Sequence, residues 1–188
     1  MNKLILISLF ILSSITINAQ YSFEASEAFP FGKPNPEAPK QITDYNLLIG
    51  ECSCKSQSRN PDGSWSDPID MIWRWKYIMN GKAVQDETIK EDGKNSGSIR
   101  QFIADSSKWY VHYYASALPT TSLRTWEGKK EENGNIVLFN EQKAPNGTDG
   151  FSRLTFYDMS KTGYKWIGEW IDKTGNTTYP FWKIECKR

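Results

Sequence analysis

The sequence predicts an all-β protein built as an antiparallel up-and-down β-barrel of about 8–10 strands. Three observations predict it: a heavy aromatic load, evenly spaced turn dipeptides and alternating strand patterns. The 188 residues include 8 Trp, 9 Tyr and 9 Phe, and aromatic side chains favour strands and bury large areas. A helical period is suggested only around Ile42 to Ile49, and there only as a short turn.

Turn dipeptides divide the chain from Asp44 onward. Each supplies the positive φ values that tight hairpins need, and between them lie runs of roughly seven to eleven residues rich in β-branched and aromatic types. The dipeptides are Asp62-Gly63, Asn80-Gly81, Asp92-Gly93, Asn133-Gly134, Asn146-Gly147 and Gly175-Asn176. Sequential hairpins leave two exposed edges unless the sheet closes. We therefore expect a closed barrel, with a two-sheet sandwich as the alternative.

Alternation identifies the inward faces of the strands. In the run from Met71 to Met79 one face is apolar, while Arg74 and Lys76 point the other way. That face carries Met71, Trp73, Trp75, Tyr77 and Met79. Trp109, Val111 and Tyr113 alternate in the same way, as do Trp166, Gly168 and Trp170. A glycine between two Trp on one face is typical of a strongly coiled strand or of one that leaves room for a ligand.

The N-terminus has the pattern of a targeting segment. Lys3 precedes an apolar run from Leu4 to Ile17, and Ile17-Asn18-Ala19 is typical of a cleavage site. We predict a signal peptide over residues 1–19, with cleavage near Ala19 and export to the periplasm or the outside. The prolines and glycine of residues 20–41 predict a disordered tether. Residues 42–188 then form a single barrel domain.

The charge balance excludes several classes of partner. Lys and Arg number 23 against 22 Asp and Glu, so the chain has no basic excess for tracking phosphates, and we expect no nucleic-acid partner. No second apolar run follows the first, so we expect no membrane span. The sequence leaves the oligomeric state open.

Three cysteines suggest a covalent clasp. Cys52 and Cys54 are two residues apart, so in a strand their side chains face the same way. Cys186 lies in the expected last strand, which in a closed barrel neighbours the first. We expect a disulfide from Cys186 to either Cys52 or Cys54, with three reduced thiols as the alternative. No fourth cysteine or suitable histidine completes a zinc site, and we expect no metal.

The inward rings are the strongest functional signal. A narrow barrel is more often filled by aliphatic side chains, and buried indole N–H and phenol O–H groups need partners. We therefore expect a cavity for a small apolar or aromatic molecule, with a packed aromatic core as the alternative. The predicted ligand-binding residues are Trp73, Trp75, Tyr77, Trp109, Tyr113, Trp166 and Trp170.

Polar residues within the strands are candidates for the same cavity. A lone His suits acid–base chemistry near neutral pH, and an inward Arg can hold a carboxylate or phosphate. The possible polar cavity groups are Arg100, His112, Arg124 and Glu169. Several other carboxylates, Asp86 among them, could supply a pair for glycoside chemistry, but spacing does not identify which ones meet. No catalytic residue is therefore assigned.

Four segments resemble a bacterial, often secreted, calycin-like family of uncharacterised proteins. They are Leu47-Leu48-Ile49-Gly50-Glu51, the strand Trp73 to Tyr77, the hairpin Met79 to Glu87, and the element from Trp166 to Gly175. The resemblance covers about residues 44–187, and the hairpin Asn80-Gly81-Lys82-Ala83-Val84-Gln85-Asp86-Glu87 is its most specific part. It implies a lipocalin-like or fatty-acid-binding-protein-like barrel with a central cavity, and it implies no established reaction.

A related branch of such barrels binds haem through a histidine in a late strand. This chain departs from that pattern because its only histidine, His112, lies in mid-chain, and we expect no cofactor. Three functions stay open on the sequence. The first is a barrel that binds a small apolar or aromatic ligand, the second is an enzyme of the same fold, and the third is a filled interaction module. A cavity holding an Arg or His beside a carboxylate would favour the enzyme.

Overall fold

A computed structural model describes residues 21–188 and confirms the predicted all-β fold. Ten antiparallel strands follow one 3-10 helix, Lys40–Tyr45. The strands are β1 (Gly50–Ser58), β2 (Ile69–Ile78), β3 (Ala83–Ile89), β4 (Ser96–Ile103), β5 (Lys108–Ala115), β6 (Arg124–Lys130), β7 (Ile136–Glu141), β8 (Gly150–Ser160), β9 (Gly163–Asp172) and β10 (Thr178–Lys187). Each strand pairs with the next along the chain, and β1 pairs with β10, so the sheet is a closed up-and-down barrel consistent with a calycin-like fold.

The seam between β1 and β10 is locked covalently. The register places Cys54 directly opposite Cys186, and the two form a disulfide across 132 residues. Cys52 is the free cysteine and is buried. The expected clasp is thus confirmed, and its partner in β1 is Cys54.

Strand β2 illustrates how the sequence sets the interior. Met71, Trp73, Trp75 and Tyr77 are buried, while Arg74 and Lys76 alternate with them. The prediction that Met79 shares this face is wrong. The strand ends at Ile78, and Met79 enters the hairpin with φ 55 and lies 55% exposed.

One end of the barrel is closed by the segment before β1. Ile42, Tyr45 and Leu48 are fully buried there, and we call these three residues the plug. The Tyr45 ring stacks on Trp75, with centroids 5.6 Å apart, and meets Trp109 edge-on at 4.9 Å. The plug end is therefore a solid aromatic core, and the opposite end is left without an equivalent filling.

Residues 21–39 lie against the β2–β3 hairpin at the plug end. The N–H of Asn35 donates to the carbonyl of Gly81 (3.0 Å), and the N–H of Tyr77 donates to the carbonyl of Phe31 (2.8 Å). A side chain at Gly81 would collide with the carbonyl of Lys33, and its φ of +75 also favours glycine. The expectation of a disordered tether over residues 20–41 does not fit residues 21–39, because the backbone groups of Phe31 and Asn35 form hydrogen bonds with β2 and the hairpin.

The predicted signal peptide, residues 1–19, and its cleavage point lie outside the described residues. Within residues 21–188, no helix has the length and apolar character needed to cross a membrane.

Removing the seam disulfide should destabilise the barrel. The loop that it closes is long, so replacing Cys54 and Cys186 with Ser should lower the free energy of unfolding by about 2–5 kcal/mol. Urea denaturation under non-reducing conditions measures this. Cys52→Ala, which leaves the bridge intact, is the matched control. Thiol labelling of the denatured, unreduced protein should find one free cysteine; three would contradict the bridge.

Tyr45 should make stability depend on alkaline pH. Burial raises the pKa of Tyr45 from 10.0 to about 12, so its contribution is fully present below about pH 10 and is lost as pH rises towards 12. Tyr45→Phe has no hydroxyl to ionise. Between about pH 9 and pH 12 its free energy of unfolding should therefore fall by about 2 kcal/mol less than that of the parent. Urea titrations at both pH values measure it. Tyr179→Phe, at an exposed position, is the control, and equal losses in the parent and Tyr45→Phe would contradict the prediction.

Candidate functional site

The open half of the barrel contains a cavity of about 520 Å³. It lies opposite the plug end, where β1, β3, β5, β7 and β9 end and β2, β4, β6, β8 and β10 begin. Its volume falls within the range of roughly 300–1,000 Å³ that is usual for small-molecule sites. The interior is thus filled at one end and hollow at the other.

One wall of the cavity is built of rings, and we call it the ring wall. It consists of Trp166 from β9, Phe181 and Trp182 from β10, and Trp73 from β2. Trp166 and Trp182 meet edge-on with centroids 5.3 Å apart. A Cβ atom at Gly168 would lie 2.9 Å from both Trp166 and Phe181. The glycine therefore makes room for the rings of this wall.

A second wall carries hydroxyl groups, and we call it the hydroxyl wall. It consists of Thr88 from β3 with Ser96 and Ser98 from β4. Thr88 and Ser96 share a hydrogen bond of 2.7 Å between their side-chain oxygens. In the ring of ten strands β4 is five strands from β9 in either direction. The hydroxyl wall consequently faces the Trp166 side of the ring wall.

A buried ion pair forms the floor. The register puts Asp86 opposite Ser98 and Val84 opposite Arg100, so Asp86 and Arg100 are diagonal neighbours on the inner face. Arg100 Nη1 donates to Asp86 Oδ1, and both side chains are only 4% exposed. Trp73 Nε1 donates to the second carboxylate oxygen, Oδ2, at 2.7 Å. Both oxygens of Asp86 therefore have a donor.

Arg100 also ties the floor to the solid half. Its guanidinium carbon lies 4.4 Å from the centroid of the Trp75 ring, a favourable cation–π distance. Burial by itself lowers the pKa of Arg100, but the neighbouring Asp86 and Tyr45 together outweigh burial, and the net pKa is raised. Arg100 is accordingly a fixed cation, and its charge is balanced within the floor.

The rim carries the other arginine of the cavity. Arg124 is exposed at the start of β6, and its guanidinium carbon lies 5.9 Å from the centroid of Trp126. Within residues 21–188 it forms no ion pair. Leu118, 77% exposed, lies on the neighbouring β5–β6 loop and also borders the opening.

The predicted aromatic residues divide between the two halves of the barrel. Trp73, Tyr113 and Trp166 line the cavity. Trp75, Tyr77 and Trp109 face inward as expected but are buried in the solid half around the plug. Trp170 is half-buried outside the cavity lining and donates from Nε1 to the carbonyl of Gln142 at 3.0 Å. Alternation identifies the inward face but not the height along the barrel at which the filling stops.

The predicted polar groups divide according to whether their side chains point into the barrel or outward. Arg100 and Arg124 line the cavity. His112 and Glu169 do not, because they alternate with inward residues and lie on the outer surface. His112 Nδ1 lies 3.1 Å from Thr125 Oγ1, and Glu169 accepts from Arg153 at 2.9 Å. The expectation that these two are cavity groups is therefore corrected.

Several cavity residues were not predicted. Trp182 could have been found by counting back from Cys186 in steps of two, since Cys186, Ile184 and Trp182 all point inward. Trp126 lies on short β6 beside charged residues, where alternation is weak, and donates to Ser152 Oγ at 3.2 Å. The pairing of Asp86 with Arg100 needs the register between β3 and β4, which no local pattern supplies.

The described part of the chain contains no group of three or more His, Cys, Asp or Glu residues that could hold a metal ion.

Comparison of the chain with models of protein families and with curated proteins found no match. The resemblance to a secreted calycin-like family accordingly stays a prediction from the four segments.

Breaking the floor ion pair should be costly. Asp86→Asn leaves the Arg100 charge buried without a counter-charge, so the free energy of unfolding should fall by about 3–5 kcal/mol. Arg100→Met should have a similar effect, and the double substitution should cost less than the sum of the two. Urea denaturation measures all three.

The control for the Asp86 and Arg100 substitutions is a solvent-exposed ion pair. Lys55 and Asp70 lie 2.8 Å apart with side chains 64% and 77% exposed, so Asp70→Asn should cost at most about 1 kcal/mol. Equal effects of Asp70→Asn and Asp86→Asn would contradict the role assigned to the floor.

Proposed function

We propose that this protein binds a small, ring-containing molecule in the open-end cavity. The observation that carries the proposal is the hollow half of the barrel, a space of about 520 Å³ with four rings on one side and a charge-balanced floor. A concave, mostly apolar space with a few fixed polar groups is the usual form of a small-molecule site.

The energetics of the rings support this proposal. The solid half already supplies an aromatic core around the plug, whereas the ring wall borders open space. Apolar surface facing water in a cavity lacks the contacts that a packed core provides. A ligand ring against Trp166 and Trp182 would restore these contacts and add edge or stacked ring interactions.

The enzyme alternative has one observation in its favour, since the cavity does hold an Arg beside a carboxylate. That carboxylate, however, accepts from Arg100 on one oxygen and from Trp73 on the other. A general base needs an oxygen within reach of a substrate proton, and this carboxylate is held by two buried donors and is only 4% exposed. His112 and Glu169, the other candidates, lie on the outer surface. Binding therefore accounts for the site better than catalysis.

The third hypothesis, an interaction module without a ligand, requires a barrel with a filled interior. The open half of this barrel is hollow, which argues against that hypothesis. We also propose that the protein works after export. The disulfide between Cys54 and Cys186 supports this, because such bridges persist mainly in oxidising compartments.

Tryptophan fluorescence tests the binding proposal. Titration with 2-naphthol and related bicyclic probes should change the emission of the full chain in a saturable way. Trp166→Leu, which keeps an apolar side chain but removes the ring, should weaken binding about 10-fold, as expected for the loss of about 1.4 kcal/mol of ring contact. Trp65→Leu is the matched control, because Trp65 lies outside the cavity between Arg59 and Lys183.

A variant that fills the cavity with a larger side chain tests whether the probe binds there. Leu154 lines the cavity, and Leu154→Trp should abolish probe binding while urea denaturation shows a folded protein. Binding that survives Leu154→Trp unchanged, or equal weakening by Trp65→Leu and Trp166→Leu, would place the probe elsewhere and overturn the proposal.

A further inference from the structure

Two buried residues on the cavity walls have polar groups without protein partners. Ser98 is 6% exposed and lines the cavity, and no described residue forms a hydrogen bond with its hydroxyl. Trp166 is likewise 6% exposed, and its indole N–H has no acceptor among residues 21–188. Neither atom is among the enclosed side-chain atoms that lack a partner in the described chain, which are Tyr45 Oη, Arg59 Nε and Arg100 Nε, so both groups are reached from the open cavity and can bond to what occupies it.

The other indoles of the cavity show the contrast. Trp73 donates to Asp86, Trp126 to Ser152 and Trp182 to Ser56, at 2.7, 3.2 and 2.7 Å. Among the cavity indoles of the described chain, Trp166 alone has a donor without an acceptor among the described residues. Ser152 is a further case, since its oxygen accepts from Trp126 but its own proton has no acceptor among the described residues.

These groups lie on different sides of one space. Ser98 is on β4, Trp166 on β9 and Ser152 on β8, and β4 faces β9 across the barrel. A molecule that spans the cavity thus meets a free hydroxyl on one side and a free N–H on the other. The ring faces of Trp166 and Trp182 lie on the same side as the free N–H.

The charge of the cavity restricts the ligand further. Arg100 is balanced by Asp86 in the floor, so the deep part has no net charge to offer an ion, and burying an unpaired ion is costly. Arg124, the cavity cation without an ion pair in the described residues, is at the exposed rim. The deep part of the ligand should therefore be uncharged.

We propose that the ligand is a neutral ring compound with hydrogen-bonding substituents, hydroxyl or carbonyl, on opposite edges, and not a hydrocarbon. Its substituents bond to Ser98 on one side and to Trp166 or Ser152 on the other, while its ring packs on the ring wall. This inference rests on the proposed binding function and defines its ligand class. A pure hydrocarbon would displace water from these groups and leave them unpaired, which disfavours it.

Matched bicyclic probes test the ligand class. Naphthalene, 2-naphthol, 2,6-dihydroxynaphthalene and 2-naphthoate share a ring system and differ in their polar groups. Isothermal titration of the full chain should give affinities that rise about 5-fold for each hydroxyl added to naphthalene, as expected for one net hydrogen bond each. 2-Naphthoate should bind no more tightly than 2-naphthol.

Variants assign the effect to the walls. Ser98→Ala should weaken 2,6-dihydroxynaphthalene about 5-fold and leave naphthalene unchanged, since the hydrocarbon makes no bond there. Ser53→Ala, at an exposed position on the outer face of β1, should change neither. Because Ser98→Ala removes one atom and no protein hydrogen bond, it should fold as the parent does.

The outcomes separate this inference from the binding proposal. If no probe binds, the proposed function itself fails. If all probes bind but naphthalene binds as tightly as the dihydroxy compound, or Ser98→Ala weakens both equally, the binding proposal stands and the ligand class is overturned. Tightest binding by 2-naphthoate, lost in Arg124→Gln, would likewise overturn it in favour of an acidic ligand.

Discussion

The interior of this protein depends on the closure of ten strands into one ring. Barrel width grows with strand number, and about eight strands already give an interior that side chains just fill. The tenth strand pairs with the first, and the Cys54–Cys186 bridge locks that pairing. A ring of ten must therefore use large side chains, an inserted segment or a ligand. The chain fills one half with Trp75, Trp109 and the plug, and it leaves the other half hollow.

The Arg100–Asp86 pair lies where the filled half meets the hollow one. Arg100 contacts the ring of Trp75 below, and Asp86 accepts from Trp73 at the base of the ring wall. A buried ion pair contributes little net stability, but the loss of one partner is costly. Its effect here is to hold Trp73 in place and to keep the floor polar yet neutral. Under the proposed binding function, such a floor would favour selection by shape and hydrogen bonding over selection by charge.

The two unlike walls follow from the meander topology. Because each strand pairs with its neighbours in sequence, residues from the first half of the chain come to face residues from the second half. The serine-rich β4 thus faces the Trp-rich β9. Under the proposed binding function, ligand recognition would combine ring packing with directional bonds. The directional bonds would give selectivity, since a ligand that cannot make them leaves polar groups of the cavity unpaired.

The sequence by itself determined the fold class, the strand faces and the clasp. Turn dipeptides with positive φ, period-two alternation and three cysteines are local signals, and the described residues confirm a closed barrel with Trp73, Trp75 and Tyr77 inside. The same alternation of side chains along β5 and β9 would also have placed His112 and Glu169 on the outer face. Only the tertiary structure decided where the filling stops, which rings border the cavity, and that Asp86 meets Arg100. These features depend on the register between strands and on the docking of the plug, which are long-range pairings with no trace in local spacing. The strand register also decides that Cys54 and not Cys52 pairs with Cys186. The two cysteines lie on the same face of β1, and a register shifted by two residues would bring Cys52 opposite Cys186 instead.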